Sequence, residues 1–183
     1  MDTKDISIDS LKGKNKNAAF SQLVRLYQEK LYWHIRKMVL DHDDANDLLQ
    51  NTFMKAWNGL DNFRGDSQLS TWLYRIATNE TLTFLANKKN NTYSISDLEE
   101  TMFQRLQSDS YFDGDKAQLL LQKAILKLPE KQRLVFNMRF YEEVSYEEMS
   151  KILETSVGAL KASYHHAAKK IEDFISAEQE NEN

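Results

Sequence analysis

Residues 63–79 have the sequence FRGDSQLSTWLYRIATN, in which a short glycine-containing loop runs into a segment of helical periodicity. Ser67 is a suitable N-cap for that helix because its hydroxyl can accept a hydrogen bond from a free first-turn amide. The apolar residues that follow recur at helical spacing and predict its buried face: Leu69, Trp72, Leu73, Ile76 and Phe84. A second face carries a cation and three small hydrogen-bonding groups: Thr71, Arg75, Thr78 and Asn79.

Aromatic, cationic and polar groups on one rigid support suit an unstacked base of single-stranded nucleic acid. The simpler interpretation is that Trp72 and Tyr74 are ordinary core and surface aromatics and that Arg75 is a solvated charge. This stretch alone favours the simpler interpretation, so the rest of the chain has to decide between the two.

The composition predicts a nearly all-helical chain. Among 183 residues there are only five Gly and one Pro, and the length allows one large domain or two small ones. The absence of cysteine excludes disulfides and thiolate metal sites and makes the cytoplasm the default location. No stretch approaches the apolar length of a membrane span, so we expect no membrane insertion. The net charge of −4 argues against nucleic acid, although its distribution matters more than its sum.

Two further helices are predicted before the opening stretch. Residues 1–17 are polar and are interpreted as a flexible lead-in. Apolar spacing then predicts a helix from Ala18 to about Leu40 and another from about Asp44 to Asn58, with Gly59 ending the second.

Residues 91–115 change character and divide the chain. Six acidic residues in this segment oppose only Arg105, and Ser, Thr and Asn are frequent. We interpret the segment as a flexible acidic linker between an N-terminal domain, residues 18–90, and a C-terminal domain, residues 116–176.

The C-terminal domain has the pattern of a helix-turn-helix. Pro129 suits the first turn of a helix that runs to about Glu142. Ser145 and Glu148 form a capping box for a short helix that ends at Leu153. After a three-residue turn, Ser156 caps a last helix from Val157 to about Ile175, and an acidic tail of residues 177–183 is expected to fray.

The last helix contains no acidic residue between Val157 and Lys170, although the flanking sequence is rich in acids. Its predicted outward face consists of Gly158, Lys161, Ala162, His165, His166 and Lys169. Acidic side chains on a DNA-binding helix would be repelled by the phosphates of DNA. A helix without acids in an otherwise acidic protein therefore has the pattern expected of a DNA-binding helix.

Three segments in this order resemble the extracytoplasmic-function (ECF) class of bacterial RNA polymerase sigma factors. Residues 44–57, DANDLLQNTFMKAW, look like region 2.2, the polymerase-docking helix of the family, and residues 63–79 look like region 2.3, which melts the promoter. Residues 128–133, LPEKQR, and the helix-turn-helix look like region 4. The resemblance covers nearly the whole chain and favours the nucleic-acid interpretation of residues 63–79. It implies an all-α fold of two small helical domains, the region 2 bundle and the region 4 helix-turn-helix.

The resemblance also implies three sets of functional residues. The docking helix would meet the β′ clamp helices of core RNA polymerase through Asp47, Leu48, Gln50, Asn51, Phe53, Met54 and Trp57. The loop and the helix after it would pocket a flipped base of the minus-ten element and contact its backbone through Phe63, Arg64, Ser67, Trp72, Arg75, Asn79, Lys88 and Lys89. The last helix would meet the minus-thirty-five element through Ser156, Gly158, Lys161, Ser163, His165, His166 and Lys169.

Several of these positions carry open alternatives. The family usually has Glu at the position of Asn51, so one ionic contact is weakened, and Phe53 and Trp57 could equally be core residues. Glu80 is expected to point away from the flipped base. On the last helix the family often has Arg, the residue that most commonly reads guanine, so we expect more reliance on phosphates, the helix N-terminus and DNA shape. The two histidines could also be a surface pair without a role.

The partners implied by the resemblance are core RNA polymerase, through its β′ clamp helices and β flap, promoter DNA, and an anti-sigma factor. The resemblance implies that the two promoter elements lie roughly one and a half to two helical turns apart. At about 34 Å per turn, this separation is roughly 50–70 Å. A linker of about 25 extended residues reaches about 80–90 Å, which spans the gap with slack. No cofactor or metal is expected.

Two other functions are weighed against this one. An enzyme is disfavoured because adjacent helix positions such as His165 and His166 point about 100° apart and cannot easily share one metal ion. No phosphate-binding glycine loop, nucleophile motif or zinc spacing is present. A stand-alone helix-turn-helix regulator would bind duplex DNA unaided, whereas a sigma factor would co-elute with core polymerase and direct transcription.

Overall fold

The structure is a computed structural model that describes residues 11–13, 15–90 and 116–181. The predicted linker, residues 91–115, lies outside the described residues, as do residues 1–10, 14 and 182–183. In the described ranges the regular structure consists of α-helices and a 3-10 turn at Leu60–Asn62, which confirms the all-α prediction there. The helices are α1 (Lys16–Val39), α2 (His42–Gly59), α3 (Leu69–Asn90), α4 (Lys116–Leu126), α5 (Glu130–Phe140), α6 (Tyr146–Leu153) and α7 (Val157–Asn181).

Short polar side chains begin several of the helices. The Asp41 carboxylate accepts a hydrogen bond of 2.9 Å from the amide of Asp44 at the start of α2. The predicted caps of the helix-turn-helix are confirmed, because the Ser145 hydroxyl accepts from the amide of Glu148 at 3.2 Å. The Ser156 hydroxyl likewise accepts from the amide three residues further on, at 3.3 Å. Each cap satisfies an amide that has no partner inside its helix.

Of two predictions near the opening loop, one holds for a different reason and one is wrong. The helix α2 ends at Gly59 as predicted, but Gly59 has φ −86° rather than a left-handed conformation, and the chain continues into the 3-10 turn. A Cβ atom at Gly59 would lie 3.3 Å from the indole of Trp72, so close packing rather than a turn explains the glycine. Ser67 is not the N-cap of α3, because α3 begins at Leu69 and the carbonyl of Gln68 accepts from the amide of Trp72 at 3.1 Å.

The C-terminal helix is longer than predicted. The predicted acidic tail is helical as far as Asn181. Lys123 on α4, together with Lys127 just after that helix, holds it: Lys123 Nζ lies 3.7 Å from a carboxylate oxygen of Glu178. The ammonium groups of Lys123 and Lys127 also lie 5.9 and 4.7 Å from the centre of the Phe174 ring. These contacts between α4 and α7 stabilise turns that the local sequence alone would leave to fray.

The described part of the predicted lead-in is packed rather than loose. Leu11 is fully buried in a small apolar cluster with Ala19 and Leu60. Lys16, in the first turn of α1, places its Nζ 2.8 Å from a carboxylate oxygen of Asp61. The described part of this segment thus packs on the first bundle through one leucine in an otherwise polar stretch.

The two halves of the chain pack against each other. The helices α1, α2 and α3 form one bundle and α4 to α7 form the other, and α1 contacts α5 while α3 contacts α6. One apolar core contains buried side chains from both bundles, among them Leu31 and Leu73 from the first and Met138, Met149 and Leu160 from the second. A second core lies within α4, α5 and α7. In the part of the chain that the structure describes, none of the helices combines the length and apolarity that crossing a bilayer requires.

Candidate nucleic-acid and polymerase interfaces

A cavity of about 620 Å³ lies where the loop before α3 meets α2 and α3. It is lined by six of the eight residues assigned to the minus-ten element: Phe63, Arg64, Ser67, Trp72, Arg75 and Asn79. The other two, Lys88 and Lys89, lie further along α3 and do not line it. The cavity is open to solvent, and its volume lies in the range that suits a small organic ligand.

The aromatic wall of the cavity is a tilted pair of rings. The centroids of Phe63 and Trp72 are 4.9 Å apart at an interplanar angle of 33°. Phe63 is only 6% exposed, whereas Trp72 is half-buried and also touches Gly59. An incoming base can therefore reach Trp72, while Phe63 holds the indole from behind.

The cavity also contains acidic groups that the sequence analysis missed or misplaced. Glu80 lines it rather than pointing away, and its carboxylate is paired with Nζ of Lys55 on α2. Asp66 contributes a second carboxylate from the loop. Lys55 and Glu80 come from different helices, so no local spacing in the sequence connects them. Together these residues give the cavity both acceptors and cations around one aromatic face.

Arg75 stands between this cavity and the second bundle. Its Nη1 lies 2.9 Å from a carboxylate oxygen of Glu154, and its Nη2 donates to the backbone carbonyl of Lys151. Arg75 and its neighbour Asn79, which is exposed, also line another cavity, of about 320 Å³, between α3 and the helix-turn-helix. The guanidinium is thus engaged by the other half of the chain.

The predicted polar face of α3 is wrong for its two threonines. Thr71 and Thr78 are buried, not presented beside Arg75 and Asn79. The hydroxyl of Thr78 is hydrogen-bonded to Nε2 of His34 at 3.0 Å. A threonine can enter a core in this way because its methyl group packs and its hydroxyl finds a partner.

A buried polar cluster around His34 joins the two halves. His34 is 2% exposed, and its Nδ1 lies 3.1 Å from a carboxylate oxygen of Glu142, which follows α5. Lys37 places its Nζ 3.6 Å from the other carboxylate oxygen. The ring of Tyr74 meets the imidazole edge-on, with centroids 5.1 Å apart. We name this set, with Thr78, the His34 cluster.

The charges in the His34 cluster shift two pKa values. Burial by itself would raise the pKa of Glu142, but His34 and then Lys37 lower it, so the pKa lies below its ordinary value. Burial, and then the negative charge of Glu142, raise the pKa of Tyr74. The sequence analysis missed the cluster because His34 and Glu142 are separated by 108 positions.

The helix α2 presents part of its predicted polymerase-binding set to solvent. Met54 is 63% exposed, and Asp47, Gln50 and Asn51 are exposed beside it. Leu48, in contrast, is buried in the core.

The two aromatic residues of the predicted docking set are half-buried. Phe53 and Trp57 lie edge-on to Phe20, with centroid distances of 6.4 and 5.0 Å. The two rings therefore support the helix from behind and leave an edge at its surface.

The two lysines at the end of α3 differ in their surroundings. Lys88 places its Nζ 2.7 Å from a carboxylate oxygen of Asp44 and 5.1 Å from the centre of the Phe84 ring. Lys89 is exposed. Lys89 is therefore the more accessible of the two cations for a phosphate.

The helix α7 presents an exposed stripe beyond the turn. Its exposed residues include five of the seven that were assigned to the minus-thirty-five element: Gly158, Lys161, His165, His166 and Lys169. Ser156 is exposed and caps the helix, whereas Ser163 is half-buried and lines the cavity between the halves. In the described ranges no group of three or more His, Cys, Asp or Glu side chains is placed to hold a metal ion.

Comparisons with known proteins match both bundles in chain order. The family model of Sigma-70 region 2 matches residues 23–91, and that of Sigma-70 region 4 matches residues 118–171. The ECF RNA polymerase sigma factor SigW of Bacillus subtilis is 31% identical over 167 residues, which cover 86% of this chain and 89% of SigW. The RNA polymerase sigma-H factor of Pseudomonas aeruginosa is 31% identical over 173 residues, which cover 86% of each protein.

In fold, the chain is similar to the sigma factor RpoE from Bartonella quintana, solved in complex with the anti-sigma factor NepR. The TM-score is 0.64 at 24% identity, over 86% of this chain and 96% of that one. Matches to two successive regions of one family, with relatives of this identity and coverage, leave one assignment: the chain belongs to the ECF class of sigma-70 RNA polymerase sigma factors.

Proposed function

We propose that this sigma factor reads its promoter with two surfaces while a third holds it on core RNA polymerase. The cavity beside Trp72 takes an unstacked base of the minus-ten element, the exposed stripe of α7 meets the minus-thirty-five element, and the exposed face of α2 docks on the β′ clamp helices. The observation that carries the proposal is that six of the eight residues assigned to the minus-ten element line one cavity.

The chemistry of the cavity supports capture of a flipped base. Flipping costs a few kcal/mol in lost stacking, and stacking on an aromatic side chain returns about 1–3 kcal/mol per base. Trp72 supplies the stacking face, and Arg64 and the exposed amide of Asn79 supply hydrogen bonds. We assign the exposed Lys89 to the backbone beyond the flipped base, and Arg75 adds a third cation, after Arg64 and Lys89, once it leaves Glu154.

The exposed face of α2 has the composition of a docking surface. A large apolar side chain, Met54, lies beside the polar residues Asp47, Gln50 and Asn51. An apolar centre with a polar rim is the arrangement that gives affinity and register to a helix on a helical partner. Leu48 supports this face from the core and makes no contact of its own with polymerase.

The exposed stripe of α7 supports duplex binding with little direct readout of guanine. Lys161 and Lys169 supply charge, and His165 and His166 supply hydrogen-bonding groups, on a helix that keeps acids away from the phosphates. We assign residues 18–90 to the region 2 domain and residues 116–176 to the region 4 domain, which would also meet the β flap. The acidic segment 91–115 connects them.

The partners follow from this role. The polymerase works in the cytoplasm, so we place the chain there. Two solved proteins of similar fold, RpoE from Bartonella quintana and CnrH, are in complex with the anti-sigma factor NepR and with the cytosolic domain of CnrY, respectively. By analogy we include an anti-sigma factor among the partners of this chain. A stand-alone helix-turn-helix regulator is disfavoured because it would not explain why residues 23–91 match Sigma-70 region 2.

A pair of substitutions tests the division of labour. Asp47→Arg should weaken binding to core polymerase at least tenfold, because it reverses the charge on the docking face. Asn79→Ala should leave polymerase binding intact but lower open-complex formation at least fivefold. Glu180→Arg, at an exposed site on the last turn of α7, and Asn87→Ala, at an exposed site on α3 outside the cavity, are the matched controls. Polymerase affinity by titration and permanganate footprinting of the melted strand give the two readouts. Equal losses of polymerase affinity in both variants would contradict the assignment.

A further inference from the structure

We propose that Glu80 selects which base the cavity beside Trp72 accepts. Its carboxylate accepts a hydrogen bond from an exocyclic amino group, so the cavity takes adenine, cytosine or guanine and disfavours thymine. This inference rests on the proposed function of the cavity and adds to it a chemical class of base. The residue that makes the selection lies outside the set assigned to the minus-ten element.

Glu80 lies on the face of α3 that borders the cavity. Trp72, Ile76 and Glu80 are spaced four positions apart, so they occupy successive turns of one helix face, and all three line the cavity. Side chains of a helix lean toward its N-terminus, which directs the carboxylate of Glu80 toward Ile76 and the indole. A base stacked on Trp72 therefore covers Ile76 and brings one edge toward Glu80.

One carboxylate oxygen of Glu80 is bound by the protein and the other is not. Nζ of Lys55, on α2, donates to Oε1. Among the residues that the structure describes, no donor binds Oε2, and the side chain of Glu80 is only 18% exposed. A carboxylate that is largely withdrawn from water is stabilised when a donor binds its remaining oxygen. The cavity thus contains an acceptor that a base with an N–H group can satisfy.

Lys55 explains how a carboxylate can lie in a cavity that faces DNA. A carboxylate alone would repel the phosphates, but the ammonium group of Lys55 neutralises it at contact distance. The side chain of Lys55 is 60% exposed, so the cation lies on the solvent side of the pair and the carboxylate on the inner side. The DNA backbone therefore meets a cation, and the base meets an acceptor.

The four bases differ in what they present to an acceptor. Adenine, cytosine and guanine each carry an exocyclic amino group, and a carboxylate is the usual side-chain acceptor for the amino group of cytosine. Thymine carries a carbonyl oxygen on each side of its ring N–H, so a carboxylate directed at either carbonyl faces another acceptor. Such a base is rejected because the polar group of the site is then left without a partner.

The first measurement is initiation by core RNA polymerase with this chain on promoters that differ in one functional group. The promoters are selected from a library randomised upstream of the start site. The flipped position is the minus-ten base whose neighbour, replaced by 2-aminopurine, becomes fluorescent in the open complex. Selected promoters should carry adenine, cytosine or guanine at this position, and thymine as the preferred base would overturn the proposal.

The amino group at that position is then taken away by exchanging adenine for purine, cytosine for uracil or guanine for hypoxanthine. The wild-type chain should initiate at least about fivefold less on the promoter without the amino group, because one good contact to a base edge is lost. Equal initiation on the two promoters would overturn the proposal.

Glu80→Gln tests the residue itself. An amide has nearly the shape of a carboxylate but presents an N–H group as well as an oxygen, so it can bond a carbonyl or an amino group. The variant should gain initiation on the promoter without the amino group and reduce the preference to less than about twofold. Damage to the fold would not produce such a gain. Glu29→Gln, at an exposed site on α1 outside the cavity, is the matched control and should keep the wild-type preference. A Glu80→Gln chain that keeps it too would overturn the proposal.

The fluorescence distinguishes a failure of this inference from a failure of the proposed function. If 2-aminopurine reports flipping and the preference does not depend on Glu80, the cavity binds the base and this inference alone is wrong. If no position reports flipping, or if Trp72→Ala leaves the flipping unchanged, the proposed function of the cavity is wrong as well.

Discussion

At the scale of single residues, the base-sized cavity depends on how one indole is held. Trp72 lies between the ring of Phe63 and the backbone of Gly59. Phe63 is nearly buried, so it supports the Trp72 ring and presents little of its own surface to the cavity. The loop before α3 therefore fixes the position of the Trp72 ring, which belongs to α3.

Gly59→Ala tests this arrangement. The new methyl group would lie 3.3 Å from the indole, so Trp72 must shift by a few tenths of an ångström. The backbone at Gly59 is helical, with φ −86°, and alanine is favoured over glycine in helices by up to about 1 kcal/mol. We expect the free energy of unfolding to change by less than about 1 kcal/mol while open-complex formation falls severalfold.

Chemical denaturation and 2-aminopurine fluorescence at the flipped base would measure the two quantities. Gly158→Ala is the matched comparison for stability, because nothing lies within 4 Å of a Cβ atom at that site. It should gain up to about 1 kcal/mol of stability. Normal base flipping in Gly59→Ala would show that Trp72 does not need its present position.

At the scale of elements, α7 does two jobs along its length. Its first turns present the acid-free stripe, and its last turns lie on α4 through Phe174 and Glu178. The last turns thus anchor the recognition helix to the rest of the second bundle.

Phe174→Ala should loosen that anchor without altering the stripe. The half-buried ring packs against the second core and under two ammonium groups, and its loss should cost about 1–2 kcal/mol. Hydrogen exchange should rise for amides after Glu172 and stay unchanged over residues 157–166. Ser176→Ala, at an exposed site on the same turns, is the control. Unchanged protection after Glu172 would mean that the α4 contacts do not hold the helix end.

The sequence predicted elements and sites whose determinants are close together in the chain. The Ser145 and Ser156 caps follow from spacings of a few positions, and the six residues around the cavity, which the resemblance to the sigma-factor family implied as one set, lie within one short stretch of chain. Ion pairs between distant elements, such as Arg75 with Glu154, could not be predicted, because no periodicity links such positions. The burial of Thr78 was missed for the same reason, since its partner His34 lies on another helix.

At the scale of the whole molecule, the charge of Glu142 contributes to the union of the two halves. Its pKa is lowered in the folded chain, against burial, by His34 and Lys37. Its contribution to stability is therefore present above the ordinary glutamate pKa of about 4.3 and is lost as the pH falls through the lower pKa of the folded chain. Tyr74, which also faces the cluster, stays neutral over this range because its pKa is raised.

We therefore expect Glu142→Gln to destabilise the chain at pH 7 and to lose most of that effect as the pH falls toward about 3. Urea denaturation of wild type and variant across this range measures the difference. Glu143→Gln should follow the wild type throughout. A difference between wild type and Glu142→Gln that does not change with pH would show that Glu142 acts through shape rather than charge.

Family membership also settles a question of function class. Sigma factors are initiation factors without catalytic activity, which confirms the expectation that the chain is not an enzyme. In the proposed function, three surfaces act together on one polymerase and one promoter.

Transcription from a library of randomised upstream sequences, with core RNA polymerase and this chain, tests that claim most directly. We predict transcripts whose start sites share a minus-ten and a minus-thirty-five element at fixed spacing, and which disappear when the chain is omitted. Core polymerase that yields the same transcripts with and without the chain, or no shared elements upstream of the start sites, would contradict the account.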